Sequence, residues 1–229
     1  GEIYNHGSVA AELRDAGMPF KSSSDTEVVA NAIEHWGMMA ATERFIGMFA
    51  LAVWDRNTAT LHLARDRIGE KPLYVQHLPS GLRFASELKA LSAGGSAVPP
   101  LNDEALATYL RLGYVPAPAS IFEGVTKVSP GEVATFEVRD RKVVEVSSRR
   151  YWSVPPFVDG EPGSIEDLEE RLRSSVALQL HADVPVGAFL SGGIDSSLVV
   201  ALASEMTDSL KTFTIGFEDD RFDESTFAS

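Results

Sequence analysis

The spacing of apolar positions changes character along the chain. Val29, Ile33 and Trp36 recur at helical spacing behind Ser24-Asp25-Thr26-Glu27, a serine followed three residues later by a glutamate. That pattern predicts a helix opened by a capping box. From Phe49 the pattern is that of strands. Phe49–Asp55, the turn Arg56–Ala59 and Thr60–Asp66 predict one hairpin; Leu73–His77, the turn Pro79-Ser80-Gly81 and Leu82–Ala85 predict a second. Strands joined by such short turns are antiparallel neighbours. Ala93–Pro100 reads as a loop, Asn102 as the cap of a helix over Asp103–Leu112, and Ser129–Glu132 as a turn before a strand at Val133–Glu137.

Val154–Gly163 is rich in proline and glycine and marks a boundary. Beyond it, Ser164 and Asp167 cap a helix whose stripe is Ile165, Leu168, Leu172, Val176 and Leu180. A short apolar strand expected to be buried (Val184–Leu190), a glycine loop, a helix (Leu198–Met206) and a strand (Leu210–Phe217) follow in the order of a βαβ unit. The expected organisation is an α+β antiparallel layered domain over residues 1–157. The start of an α/β parallel-sheet domain follows over 158–229, and neither shows an internal repeat.

Composition narrows the classes. With 44% hydrophobic and 9% aromatic residues in 229, the chain can bury real cores. A net charge of −13 disfavours nucleic acid or an anionic membrane as the main partner. No apolar run approaches the roughly 20 residues of a membrane span, and no signal-peptide pattern is visible. The chain has no cysteine, which removes disulfides and thiolate metal sites and makes a reducing cytoplasm the default compartment. His6, His35, His62, His77 and His181 lack metal-ligand spacing, and Trp36, Trp54 and Trp152 read as core or boundary anchors. Opening at Gly1 and stopping in an acidic stretch at Ser229, the chain reads as a piece of a longer protein.

The chemistry concentrates in Ser191-Gly192-Gly193-Ile194-Asp195-Ser196-Ser197, between the strand and the helix of the βαβ unit. Paired glycines let the backbone turn sharply, so that several N–H groups and a helix N-terminus point at one spot. That is a phosphate cradle. Ser191, Ser196 and Ser197 can donate hydroxyls to phosphate oxygens. Asp195 suits a Mg²⁺ that neutralises them. The loop is neither a Walker A sequence nor a dinucleotide fingerprint. It resembles the Ser-Gly-Gly-x-Asp-Ser pyrophosphate loop of ATP pyrophosphatases, which cleave ATP between its α and β phosphates. An ordinary serine-capped glycine turn is the plainer alternative.

Further segments carry a family resemblance. Gly1-Glu2-Ile3-Tyr4-Asn5-His6 with Ser24–Val28, and Asp66–Tyr74 with Phe84–Leu91, resemble class II glutamine amidotransferase domains. Joined to a pyrophosphate loop, the whole chain resembles glutamine-hydrolysing asparagine synthetases. The resemblance implies an Ntn-type glutaminase fold followed by an adenine nucleotide α-hydrolase-like domain. It implies glutamine, ATP and aspartate as partners, with ATP and Mg²⁺ at the second domain; a homodimer is left open. In such enzymes glutamine yields ammonia, which travels to β-aspartyl-AMP and gives asparagine, AMP and pyrophosphate. Position by position, the resemblance puts Glu2 and Asp25 at the α-amino end of glutamine. Gly1 falls in the same pocket, its backbone N–H lining the oxyanion hole. Leu190 and Ile215 fall at the adenosine, and Ser191, Gly192, Gly193, Asp195 and Ser196 at the pyrophosphate, with Asp195 as the metal ligand.

The family's nucleophile is an N-terminal cysteine, which this chain lacks and an upstream segment would supply. As it stands the chain is therefore expected to be inactive. Glu2 and Asp25 have a plainer alternative as surface carboxylates of an acidic protein. Asp66–Pro72 is expected to be a structural, solvated turn, and Glu218–Glu224 a solvated loop. Rival functions are a related amidotransferase or β-lactam-synthetase-like ligase acting on another carboxylate, and a non-catalytic scaffold.

Overall fold

The computed structural model describes residues 1–79, 81–93, 97–139, 142–156, 163–182, 184–219 and 223–225. Two compact units divide the chain, Gly1–Pro156 and Phe157–Ser229.

The first unit is built in layers around antiparallel sheets. Strands β3 (Ala50–Asp55), β4 (Thr60–Arg65), β8 (Glu132–Arg139) and β9 (Lys142–Arg150) form a four-stranded sheet in the order β3-β4-β8-β9. Strands β5 (Tyr74–Leu78), β6 (Gly81–Ala85) and β7 (Val125–Lys127) form a second sheet in the order β6-β5-β7. A short ladder joins β1 (Glu2–Ile3) to β2 (Gly47–Met48). Both predicted hairpins are present, as β3–β4 and β5–β6; Ser80, in the second turn, lies outside the described residues.

Side-chain alternation divides the core in two. Leu51, Ala64 and Val133 stand opposite one another and face the helices α1 (His6–Asp15), α2 (Asp25–Trp36) and α3 (Met38–Arg44). There they pack with Val9, Leu13, Val28, Ala32, Phe45 and Phe49. The next row, Ala52, Leu63 and Ala134, points the other way, and Leu63, Ala134 and Phe136 pack with Leu73, Val75 and Val128 of the second sheet's side. One bulge interrupts the β8–β9 pairing between Thr135 and Phe136, where Val146 is the extra residue.

Asn102 caps α5 (Asp103–Leu112) as expected, its Oδ1 accepting from the Ala105 N–H at 3.0 Å. Gly113 closes the helix in the left-handed conformation. The box at α2 differs from expectation. Ser24 Oγ accepts from the Thr26 N–H, but Glu27 turns outward to the N–H groups of Lys21 and Ser22 and to the Ser22 hydroxyl. Three donors on the preceding loop outcompete the single Ser24 N–H. Trp54 is 50% exposed on edge strand β3 and so is not a core anchor.

In the second unit, β10 (Gly187–Phe189) and β11 (Lys211–Phe213) are parallel and flank α7 (Ile194–Ser204), giving the expected βαβ unit. Ser164 Oγ caps α6 (Ile165–Leu180) by accepting from the Asp167 N–H at 3.0 Å. The α6 and α7 helices meet at Val176, Leu202 and Ala203, with Leu172, Leu180 and Leu210 beside them. The expected stripe is therefore buried only at its C-terminal half: Ile165 and Leu168 are exposed, as is Phe189 at 77% in a strand expected to be buried. A two-stranded sheet with helices gathered in one small cluster cannot cover more. Residues 157–162 of the boundary, 94–96 of the predicted loop and 220–222 of the acidic stretch lie outside the described residues.

Candidate functional site

The first candidate site grows from strand β1. Asn5 pins the strand's end, its Oδ1 accepting from the Ile46 N–H at 2.8 Å and its Nδ2 donating to the Arg44 carbonyl at 2.9 Å. Gly1 lies flat against the neighbouring chain: a Cβ there would stand 2.7 Å from the Met48 carbonyl oxygen and 2.9 Å from the Phe49 Cα. Asp25 occupies the first position of α2, where an acidic group suits the positive end of the helix. Its Oδ2 accepts from the Ile3 N–H at 3.2 Å. That bond ties Asp25 to the strand that holds Glu2 and follows Gly1, across more than twenty positions. Both carboxylates are partly exposed, and the Asp25 Oδ1 accepts from the Thr26 hydroxyl at 3.3 Å.

Tyr4 follows the same strand, and the residue pattern alone did not single it out. Burial raises its phenol above the ordinary value, and Glu70, Glu2 and Asp66 push it in the same direction. The signal available was its place inside the Gly1–His6 segment.

The turn Asp66–Lys71 is structural, as expected, and Ile68 and Glu70 on it are exposed, but Asp66 itself is not solvated. Asp66 is fully buried and accepts three backbone N–H bonds, from Phe49 at 3.2 Å, Glu70 at 2.8 Å and Lys71 at 2.9 Å. Arg65 is equally committed, donating to the carbonyls of Lys71, Val128 and Gly69. Gly69 has φ +75°, and a Cβ there would press within 3.0 Å of the Arg65 guanidinium. Adjacent opposite charges thus take the place of water for the main-chain groups on the inner side of the turn, which are satisfied from within. Tyr151 completes the knot by donating to the Arg65 carbonyl at 2.8 Å. Burial pushes its phenol well up, with Asp66 adding to the shift and Arg67 opposing it.

The second candidate site lies where β10 turns into α7. Gly192 takes φ +77°, a left-handed conformation that glycine adopts without cost. Ser196 Oγ accepts from the Ser191 N–H at 3.2 Å and lies 3.0 Å from Ser191 Oγ, closing the loop on itself. Gly193 is the N-cap of α7 and offers no side chain, so the amides of Ile194, Asp195 and Ser196 open the helix with no capping acceptor. Asp195, in that first turn, lines a cavity of about 460 Å³ together with Ser196, Gly187 and Phe189. Leu190 and Ile215 lie just past the C-terminal ends of β10 and β11. The Leu190 N–H donates to the Phe213 carbonyl at 2.9 Å, and the Thr214 hydroxyl donates to the Leu190 carbonyl at 2.7 Å. Thr214 is a further contributor that the motif did not mark.

Among the described residues no three His, Cys, Asp or Glu side chains converge as a metal site. A single carboxylate beside a phosphate cradle nevertheless suits Mg²⁺, which keeps much of its water and shares phosphate oxygens with one or two acids. No helix among the described residues is long and apolar enough to cross a membrane.

A layered antiparallel domain with acids at β1 and α2, joined to a βαβ unit with a glycine loop, defines a class. Residues 1–152 match the glutamine amidotransferase domain model, and the chain belongs to that family. Residues 167–229 match the asparagine synthase model. Among relatives, asparagine synthetase [glutamine-hydrolyzing] 1 of Bacillus subtilis is 37% identical over 226 residues, covering 98% of this chain and 35% of that protein. A putative asparagine synthetase [glutamine-hydrolyzing] of Mycobacterium tuberculosis is 38% identical over 232 residues, with the same coverage of 98% and 35%. Putative asparagine synthetase [glutamine-hydrolyzing] 2 of Methanocaldococcus jannaschii is 34% identical over 234 residues, 99% of this chain and 44% of that protein. The chain thus spans less than half the length of these relatives. A solved glutamine phosphoribosylpyrophosphate amidotransferase from B. subtilis, complexed with ADP and GMP, aligns at TM-score 0.42 and 17% identity, over 96% of this chain and 46% of that one.

Proposed function

We propose that this chain is part of a glutamine-dependent asparagine synthetase, with the glutaminase role in residues 1–157 and the ATP-binding role in 158–229. The observation that carries the reading is the open amide cradle at Gly192–Ser196, on the same chain as a glutamine amidotransferase family domain.

In this reading Glu2 and Asp25 hold the α-ammonium of glutamine, two acids for one cation. The Gly1 backbone lines the pocket where the amide carbonyl becomes an oxyanion. A cysteine thiolate supplied by the full-length protein attacks that carbonyl, releases ammonia and leaves a thioester for water to hydrolyse. At the second site the amides of Ile194, Asp195 and Ser196 and the hydroxyls of Ser191 and Ser196 grip the β and γ phosphates, while Leu190 and Ile215 flank the adenosine. Asp195 would hold Mg²⁺, which supplies charge neutralisation on the phosphates. The aspartate β-carboxylate then displaces pyrophosphate from the α phosphorus, giving β-aspartyl-AMP. Ammonia displaces AMP from that acyl group, and asparagine results.

ATP–pyrophosphate exchange by the full-length protein tests the reading. Exchange that depends on aspartate is expected. Asp195→Ala should abolish it while glutamine hydrolysis stays measurable. Exchange supported by a different carboxylate would move the acceptor to that compound, and no exchange with any carboxylate would remove the ligase altogether.

A further inference from the structure

Strands β10 and β11 run parallel, with Phe189 opposite Phe213. In a parallel ladder the bonds are evenly spaced, and successive rungs involve every second residue of each strand. The last backbone rung runs from the Leu190 N–H to the Phe213 carbonyl at 2.9 Å. The next would join the Ile215 N–H to the Leu190 carbonyl, and among the described residues it is not made. The Leu190 carbonyl accepts instead from the Thr214 hydroxyl at 2.7 Å. Among the described residues the Ile215 N–H has no protein partner.

A side chain has thus taken the place of a main-chain donor. Both polar groups of Leu190 are held from the β11 side, directly before the glycine loop opens at Ser191. A threonine hydroxyl has one proton to give, and here it goes to that carbonyl. Ile215 is 66% exposed, so water can satisfy its amide until a ligand displaces it. Valine has the shape of threonine without the hydroxyl. At position 214 it would leave the Leu190 carbonyl to the Ile215 amide, and the ladder would gain a rung.

We propose that Thr214 is a positioning residue for the nucleotide: its hydroxyl ends the β10–β11 ladder at Leu190 and so keeps the Ile215 N–H available as a donor to the adenosine. The role rests on the reading of the second unit as an ATP site with Leu190 and Ile215 at the adenosine. Adenine offers ring nitrogens as acceptors, which suit a single unpaired peptide N–H. Thr214 acts through Leu190 and touches no substrate. Its influence is confined to the base end, because the bonds that close the glycine loop run between Ser191 and Ser196 without it.

Thr214→Val and Thr214→Ser in the full-length protein test it through two independent readouts. The first is amide hydrogen exchange at Ile215 without nucleotide. It should be fast in the parent and in Thr214→Ser, and at least about tenfold slower in Thr214→Val. The second is ATP–pyrophosphate exchange. Thr214→Val should raise the KM for ATP about tenfold, the worth of one hydrogen bond, with kcat and the KM for pyrophosphate unchanged. Thr214→Ser should match the parent. Equal Ile215 rates in all three proteins would overturn the ladder substitution. A slowed amide with an unchanged KM for ATP would overturn the role at the adenosine, as would a KM for pyrophosphate that rises in step with that for ATP. A parent without exchange would overturn the reading of the site itself, while the amide rates would still decide the ladder.

Discussion

Asp25 Oδ2 accepts the Ile3 backbone N–H across 3.2 Å, fastening the start of α2 to β1. One carboxylate therefore has two tasks, holding the strand and, in the proposed function, holding an ammonium. Asp25→Asn should keep most of the first, since the amide oxygen still accepts, and lose most of the second. In the full-length protein this variant is expected to raise the KM for glutamine at least about tenfold while ammonia-dependent synthesis stays unchanged. Asp25→Ala should add a stability loss of about 1 kcal/mol, read from the urea midpoint. Glu2→Gln should match the kinetic effect without the stability loss.

Asp66 holds three backbone amides on one buried carboxylate. Removing its carboxylate takes the acceptor from the buried amide of Phe49 and the part-buried amides of Glu70 and Lys71. Asp66→Ala should cost about 3 to 6 kcal/mol, at roughly 1 to 2 kcal/mol per orphaned donor, enough to unfold a marginal domain. Asp66→Asn, which still accepts through one oxygen, should lose less. Equilibrium urea unfolding ranks the three proteins, and equal midpoints would refute the assignment.

Acid should weaken the first unit through His62. Its Nδ1 lies 3.1 Å from the Thr135 hydroxyl on the next strand. Burial lowers its pKa below 6.5, with Asp55 partly opposing the shift. The folded state then binds fewer protons than the unfolded chain. The stabilisation is complete above the unfolded value near 6.5 and is lost as pH falls below it toward the folded pKa. Between about pH 7.5 and about pH 5.5 the urea midpoint should drop, and His62→Gln should flatten that drop. A variant as pH-sensitive as the parent would place the effect elsewhere.

The glycine loop makes a different kind of prediction, because little of the fold rests on it. Gly192→Ala forces a side chain into φ +77° and should cost about 1 to 2 kcal/mol locally, with ATP–pyrophosphate exchange falling far more than thermal stability. Ser196→Ala removes the Ser191–Ser196 bridge. It is expected to lower exchange by about tenfold, the worth of one charge-assisted hydrogen bond, and to leave the urea midpoint in place.

Elements set by local spacing were legible in the residues themselves. The hairpins β3–β4 and β5–β6 and the caps at Asn102 and Ser164 depend on residues close in sequence, and the βαβ order on the succession of strand, loop and helix patterns. What escaped depends on distant partners. Asp66 reads as a solvated turn because its bond to Phe49 spans seventeen positions, and Glu27 reads as half of a capping box because the loop before it offers better donors. Trp54 reads as an anchor because hydrophobicity does not reveal which strand lies at an edge. The candidate residues were legible as chemical types. That Ile3 and Asp25 would be tied together was not.

Turns of similar length in this unit differ in what they tolerate. At Asn57–Thr58 two amides lean on the Asp55 side chain at the surface, so an inserted residue there would merely widen a bend. Between Asp66 and Lys71 an insertion would pull bonded amides off one carboxylate and carbonyls off one guanidinium together. Lineages of this chain should accordingly vary in length at the first position and hardly ever at the second.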